Sequence, residues 1–554
     1  MNAATTTVAQ FIVSCLEAEG VEYVFGIPGE ENIKLVRAIH ASDKIRFILV
    51  RHEQGASFMA DIYGRLTGKA GVCIATLGPG AINLLLGTAD AQTDSSPLVA
   101  LSAQVGLDRI YKESHQIVDL VSMFAPVTKW ADTVLTPQAV PEMVRKAFHL
   151  AQTERPGATY LAIPQDLEGA TMPADLQPLT TSTKGRSVPD HTSIEQAAKL
   201  LRAAQRPVLL AGHGVVRGGH SEALRRFAEQ HQIPVATSFM AKGCISDDSP
   251  LAMGVIGFMR HDYENFAFDE ADLILSVGYE LQEFAPARIN PHGDKKIIHI
   301  NTFDTDVDAH YNVTLNVVAD ITYSLDALRN ELGSQALSGL KNRSKIRALL
   351  QEELAQGRQD NGFPPSPQRL VTAIREVMAE KDIVLADTGA IKMWMARLYP
   401  SYAPLTCLVS NGLSTMSFAL PGAIGAALAE PERKVLAVMG DGSFLMNSQE
   451  IETAVREQID LKVLVWVDGS YGLIKWKMDI EEGAHDSVDF GNPDFIKYAE
   501  SFGAKGYHVN SSAELLPTLK TALAEPGVSI IACPVDYRHN MQLVRKLGDL
   551  TISL

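Results

Sequence analysis

The amino-acid sequence predicts an α/β protein of three doubly wound, parallel-sheet domains, and three observations carry that reading. Short β-branched runs alternate with helical patterns almost throughout the 554 residues. The runs are apolar without interruption rather than at every second residue, as in strands covered by helices on both faces. Two polar stretches, "ATMPADLQPLTTSTKGRSVPD" (170–190) and "NGFPPSP" (361–367), break the rhythm and divide a chain too long for one core.

The elements follow in order. "MNAATTTVAQFIVSCLEAEG" lacks the basic start of a targeting segment and reads as an amphipathic helix that Thr7 can cap. The first domain, 1–175, then runs through the strand "RFILV", the helix "RHEQGASFMADIYGRLTG", the strand "VCIAT", the turn "LGPG", a helix and the strand "PLVALSA". The second, 190–340, carries the strands "PVLLAG", "LILSVG" and "KIIHIN". A charged helix, "KNRSKIRALLQEELAQGRQD", leads to clustered prolines, which forbid its continuation. The third domain, 365–554, holds "IVLAD", the small-residue helix "NGLSTMSFALPGAIGAAL", then "KVLAVM", "GDGS", a helix and "KVLVWVD". First and third thus share one plan, small-residue helix, strand, glycine turn, helix, strand, and are expected to face one another around a shared site.

Hydrophobic residues make up 46% and charged residues 21%, a soluble globular composition. A formal charge of −16 argues against a nucleic-acid or acidic-membrane partner, since either would repel it. The five cysteines are scattered without a CxxC, which fits buried thiols in a reducing, cytoplasmic setting. No apolar run approaches membrane-spanning length. In the middle domain "AGHGVVRGG" places a G-x-G after a strand, but without the third spaced glycine and following acid of a dinucleotide fingerprint.

The stretch "VLAVMGDGSFL" sets Asp441 between Gly440 and Gly442 at the carboxyl end of a buried strand, where ligands of open α/β sheets bind. The glycines permit close approach, and the helix around "NSQEIETAVREQ" is expected to aim its free amides at the same point, which suits a phosphate. A carboxylate beside a phosphate repels it unless a cation lies between. Asp468, ending "KVLVWVD" 27 residues later, supplies a second oxygen ligand, because a strand–helix–strand crossover of that length brings both acids out side by side. With a backbone carbonyl from "GSYG" and diphosphate oxygens they would form an octahedral Mg²⁺ site. The alternative is an ordinary Asp-Gly turn.

This GDG, followed one strand later by Val467–Asp468 where an Asn pair is usual, resembles the thiamine diphosphate-dependent enzymes. The Val-Asp variant resembles the catabolic, flavin-free acetolactate synthases in particular. The likeness runs from near Val21 to about Tyr537 and implies a pyrimidine-binding first domain, a Rossmann-like middle domain and a diphosphate-binding third. It implies Mg²⁺ held by Asp441, Asp468 and the Ser470 carbonyl. It sets the diphosphate against Gly389, Ala390 and Ile391 of "DTGAIKMW", with Gly440, Gly442, Ser443, Tyr471, Gly472 and Leu473 around the cofactor. Met416 would be wedged between the cofactor rings, and the Ser414 carbonyl would accept from the 4′-amino group. The alternative for Met416 is a core gap-filler.

The segment "RHEQGASFMA" resembles the catalytic-glutamate segment of the same family. This cofactor makes its own base when a carboxyl group in an apolar setting hydrogen-bonds N1′ of its pyrimidine. The resemblance gives that role to Glu53, with Gly55, Ala56 and Ser57 leaving room for a flat ring; the alternative is a first-turn glutamate favoured by the helix dipole. Pro79 and Asn83 of "LGPGAIN" would neighbour the pyrimidine, and His115 and Gln116 would reach towards the reacting carbons. In the family the glutamate and the diphosphate site come from neighbouring subunits, which implies a homodimer or homotetramer. Arg260 in "GFMRHDYENF" would neutralise a substrate carboxylate. Trp476 and Lys477 would face the acceptor, at a place where relatives usually carry Gln or Trp instead of Lys477. "GYELQEFAPARINPHGD" stands where flavin-containing relatives carry their flavin segment, so FAD is not expected.

The activity so implied is that of a transferase: decarboxylation of pyruvate and ligation of the two-carbon fragment to a second pyruvate, giving 2-acetolactate. Three alternatives stand beside it. One is a 2-keto acid decarboxylase or lyase with another donor or acceptor. Another is a cofactor-binding subunit without catalysis. The last is a flavin-dependent oxidase.

Overall fold

The computed structural model describes residues 6–549 apart from 183, 184, 258, 260 and 338. Three six-stranded sheets are present, and their strand pairings are all parallel. The first holds β1 (Tyr23–Gly26), β2 (Arg46–Leu49), β3 (Gly71–Ala75), β4 (Leu98–Gln104), β5 (Trp130–Thr133) and β6 (Ala158–Pro164). The second holds β7 (Pro207–Ala211), β8 (Val235–Thr237), β9 (Ala252–Val255), β10 (Leu273–Val277), β11 (Lys296–Asn301) and β12 (Leu315–Val318). The third holds β13 (Ile383–Ala386), β14 (Cys407–Leu408), β15 (Val435–Gly440), β16 (Leu461–Val467), β17 (Lys505–His508) and β18 (Ser529–Pro534).

The outer sheets have one topology. Their orders are β2-β1-β3-β4-β6-β5 and β14-β13-β15-β16-β18-β17, the same arrangement counted from the first strand of each. The middle sheet is β12-β11-β10-β7-β8-β9, the doubly wound order of the dinucleotide-binding fold. Central strands are buried along their length, as continuous apolar runs require, whereas β2 and β17 at sheet edges are partly exposed. At the N-terminus Thr7 caps the helix Val8–Ala18, as the sequence predicts, and the Gln10 side chain completes a reciprocal capping box.

The first and third sheets share one apolar core. It forms where the helix Glu53–Thr67 packs on the small-residue helix Ala419–Ala429, with Phe58 and Phe418 meeting edge to face at 6.5 Å. The middle sheet is tied to the third by Arg397, which donates to Asp262 at 2.5 and 3.0 Å and to Glu353 at 2.8 and 3.0 Å. One element differs from expectation. The helix after β15 starts at Asp441 itself (Asp441–Asn447), and a second begins at Glu450 (Glu450–Arg456), so "GDGS" is a first helical turn and not a free loop.

Candidate active site

The parallel register pairs Met439 with Val465 and Gly440 with Trp466, so β15 and β16 end together. Asp441 and Asp468 stand just beyond those ends. Asp441 Oδ2 accepts from the backbone N–H of Asp468 at 3.1 Å and of Gly469 at 2.7 Å. It also accepts from Asn492 Nδ2 at 2.7 Å, while Oδ1 accepts from the Gly442 N–H at 2.9 Å. Asp468 Oδ2 accepts from Ser470 Oγ at 2.8 Å. Burial, and after it the charge of Asp441, pushes the Asp468 carboxyl up to about 6. Lys475, whose charge acts on Asp468, is itself paired with Asp489 at 2.9 Å.

A cavity of about 200 Å³ opens over this pair. All the expected third-domain cofactor residues line it: Gly389, Ala390 and Ile391; Ser414 and Met416; Gly440, Asp441, Gly442 and Ser443; Asp468, Ser470, Tyr471, Gly472 and Leu473. Thr388, Ile474 and Tyr537 also line it and were not foreseen. Gly389 has φ +130°, a conformation other residues adopt only under strain, and open space where a Cβ would sit. Thr388 Oγ1 is buried in the wall with no hydrogen-bond partner, a donor of the kind that a phosphate oxygen satisfies. Among the described residues no cluster of three or more His, Cys, Asp or Glu side chains is assembled for a metal. A cation at Asp441 and Asp468 would therefore complete its shell with backbone and ligand oxygens, as Mg²⁺ does at phosphate sites.

The walls are held by acids that the sequence reading passed over. Asp387, fully buried, accepts from Ser443 Oγ at 2.8 Å and from the N–H groups of Thr388 (2.6 Å), Ser417 (2.8 Å) and Ala419 (3.2 Å). It thus fastens three lining segments together, and burial pushes its carboxyl up to about 6. The Ser414–Met416 loop is anchored on the first domain. Asp90 accepts from Ser410 and Thr415 hydroxyls at 2.6 Å, and Asp94 from the Asn411 and Gly412 N–H groups at 2.9 and 2.5 Å. Arg65 donates to Asp94 at 2.8 Å and to Asp61 at 3.0 and 2.7 Å, compensating part of this buried negative charge. Lys392 Nζ donates to Ser414 Oγ at 2.9 Å, and burial lowers its pKa to about 8.

Glu53 lies elsewhere in the chain. It is the first residue of the helix Glu53–Thr67 and 8% exposed, and its Oε2 accepts from Asn83 Nδ2 at 3.0 Å. Pro79 begins the helix Pro79–Thr93, and the Gln116 carbonyl lies against Gly78 beside it, so Glu53, Pro79, Asn83 and Gln116 gather at the carboxyl end of the first sheet. His115 and Gln116 are exposed. None of these residues lines the third-domain cavity. The expected room for a flat ring is absent at Gly55. A Cβ there would lie 2.7 Å from Glu450 Oε1, so this glycine makes way for a carboxylate of the third domain.

Of the residues assigned to substrate, Trp476 is buried against a neighbouring cavity of about 460 Å³ that shares Asp468, Ser470, Gly472 and Tyr537 with the first. Lys477 is exposed and lines neither. Arg260 lies outside the described residues. In the middle domain the turn after β7 is already filled. Both carboxylate oxygens of Glu283 accept from the His213 N–H at 3.0 Å, one accepts from the Glu280 N–H at 2.9 Å, and the Ser238 hydroxyl donates to the other.

Two adjoining parallel-strand ends carry neighbouring acids beneath a glycine-lined cavity, and the first and third domains repeat one topology. Family models for thiamine pyrophosphate enzymes match all three regions: the N-terminal TPP binding domain over 6–123, the central domain over 194–328 and the C-terminal TPP binding domain over 387–533. The chain belongs to the thiamine pyrophosphate enzymes. It is similar to the catabolic acetolactate synthase of Raoultella terrigena, 37% identical over 551 residues that cover 97% of each chain. It is 35% identical to an acetolactate synthase of Bacillus subtilis over 97% of this chain and 94% of that one. A probable acetolactate synthase large subunit of Methanocaldococcus jannaschii is 34% identical over 98% and 94%. It is an acetolactate synthase-like, thiamine diphosphate-dependent enzyme.

Proposed function

We propose that this enzyme is a Mg²⁺-dependent carboligase that decarboxylates pyruvate and joins the two-carbon fragment to a second pyruvate, giving 2-acetolactate. The observation that carries the reading is the pair Asp441–Asp468 at adjoining strand ends beneath a cavity lined by the glycine-rich segments at 389–391 and 440–443. When bound, thiamine diphosphate supplies a thiazolium carbon nucleophile and an electron sink for the departing carboxylate. Asp441, Asp468 and the Ser470 carbonyl are read as the Mg²⁺ ligands, and the backbone N–H groups near Gly389–Ile391 as donors to the diphosphate. Met416 and the Ser414 carbonyl would orient the rings. Glu53 would hold a proton at the pyrimidine N1′, with Asn83 fixing its second oxygen. His115 and Gln116 would meet the reacting carbons from the exposed loop that carries them.

Because Glu53 does not line the cavity of its own third domain, the reading requires a second copy whose first domain closes the site, in a homodimer or homotetramer. FAD has no place in it. A flavin diphosphate would need the amides of the middle-domain turn, and Glu283 already occupies them. The substrates are small 2-keto acids, and the setting is cytoplasmic. Among the described residues no helix is long and apolar enough to cross a membrane, and the charge of −16 disfavours nucleic acid.

The test is a panel of 2-keto acids assayed for CO₂ and ligated product, with and without thiamine diphosphate and Mg²⁺. Acetolactate from pyruvate, dependent on both, is expected. Acetaldehyde in its place would turn the reading to a decarboxylase.

A further inference from the structure

Glu450 begins the helix Glu450–Arg456 and is fully buried, and among the described residues no Lys, Arg or His is ion-paired with it. Its carboxylate crosses from the third domain to the first. Oε1 accepts from the Arg51 N–H at 3.1 Å and the His52 N–H at 2.9 Å. Oε2 accepts from the Arg51 N–H at 3.3 Å and from Thr453 Oγ1 at 2.6 Å. Arg51 and His52 are the two residues before Glu53, and His52 caps the helix that Glu53 opens, its Nδ1 accepting from the Gln54 N–H at 3.1 Å. The absence of a side chain at Gly55 is what lets the carboxylate approach. A buried carboxylate is expensive to keep, and burial pushes this one up to about 7. Closing a sheet-to-sheet contact would need only an apolar side chain of similar size. What an acceptor adds is a fixed position for the two peptide groups it holds.

We propose that Glu450 is a positioning residue for Glu53: it holds the peptide N–H groups of Arg51 and His52 and so sets where the Glu53 carboxyl points. This rests on the reading of Glu53 as the acid at N1′. The same segment that leaves Asp441 by way of the helix Asp441–Asn447 therefore ends on the backbone of the two residues before Glu53.

Four full-length variants test it: Glu450→Ala, Glu450→Gln, Gly55→Ala, and Glu450→Ala combined with Glu53→Gln. In the cofactor-free protein, hydrogen exchange of the peptide spanning Arg51 to Gln54 should quicken about tenfold in Glu450→Ala, while helices elsewhere keep their protection. With thiamine diphosphate and Mg²⁺ added, kcat should fall about 10- to 100-fold in Glu450→Ala and in Gly55→Ala, with KM and cofactor affinity unchanged within about twofold. Glu450→Gln keeps an acceptor oxygen and should restore both readouts. Added to Glu53→Gln, Glu450→Ala should change kcat by less than about twofold, since it acts through the group already removed. Unchanged exchange in a folded Glu450→Ala, a full additional loss in the double variant, or failure of Gln to rescue would each overturn the proposal. Should Glu450→Ala not fold, Gly55→Ala and Glu450→Gln decide it by the same readouts. Full turnover of Glu53→Gln alone would remove the reading beneath it. An inactive Glu53→Gln beside a fully active Glu450→Ala and Gly55→Ala would remove only this proposal.

Discussion

Asp441 Oδ2 accepts the backbone N–H groups of Asp468 and Gly469, so the first acid of the pair fixes the chain at the point where the second emerges. Asp441→Asn places an NH₂ or a less basic oxygen against those donors and removes a charge from the cation. Mg²⁺ binding about 100-fold weaker is expected, with loss of cofactor retention on desalting. Asp468→Asn is a milder change. It keeps an oxygen at the strand end and restores the residue usual in the family, so Mg²⁺ affinity within about tenfold of the parent is expected. Calorimetric titration of both variants with Mg²⁺ and thiamine diphosphate measures the contrast.

The raised pKa of Asp468 gives a pH dependence with a definite sign. Burial favours its protonated form in the folded, metal-free protein, so the stability this confers is present below the ordinary value of 3.8 and is lost as pH rises through about 6. A cation needs the ionised form. Mg²⁺ affinity should therefore weaken about tenfold for each pH unit below 6 and level off above it. In Asp468→Asn this slope should vanish, which Mg²⁺ titrations on either side of pH 6 resolve.

Glu283 gives a prediction about flavin. Burial, and after it the charge of Glu280, pushes its carboxyl up to about 8, and Gln is a close isostere of it. Glu283→Gln should unfold within about 1 kcal/mol of the parent. Glu283→Ala leaves the His213 and Glu280 N–H groups unpaired and should cost about 2–4 kcal/mol. The parent protein, mixed with excess FAD and desalted, should show no flavin absorbance. A stoichiometric yellow band would mean that the turn after β7 opens to a dinucleotide.

How far the site was legible depends on how local each signal is. Asp441 and Asp468 announce themselves because each follows a buried apolar run, and a parallel crossover makes their juxtaposition a matter of chain length. Asp387 also follows such a run, and its neighbours at 389–391 were placed, but its four donors come from segments up to 56 residues away. Asn492 and Tyr537 reach the site from loops with no pattern of their own. Gly55 was misjudged for the same reason: a small residue at a helix start says that something approaches, and only the fold shows Glu450 approaching. The helical start at Asp441 was hidden because Gly-Asp-Gly has the composition of a turn.

The glutamate itself yields a graded expectation. Glu53→Gln keeps the shape of the side chain and its contact with Asn83 but cannot supply the carboxyl proton. Cofactor affinity should hold, and kcat should fall about 10²- to 10⁴-fold. Asn83→Ala frees one carboxylate oxygen and should lower kcat less, about tenfold, measurable as CO₂ release from pyruvate.

The separation of Glu53 from the Asp441 cavity within one chain makes subunit exchange the most direct test of the composite site. Each site of a dimer would take Glu53 from one copy and Asp441 from the other. Glu53→Gln and Asp441→Ala are then each inactive as homodimers, for different reasons. When equal amounts are unfolded and refolded together, or co-expressed, half of the dimers are mixed. Every mixed dimer pairs one doubly altered site with one site made of unaltered Glu53 and unaltered Asp441. About a quarter of the parental activity per site should return. Mixing after each variant has already assembled should return nothing until subunits exchange. If both functional carboxylates acted from the same chain, no mixture could regain activity above the sum of its parts, whatever the conditions of assembly.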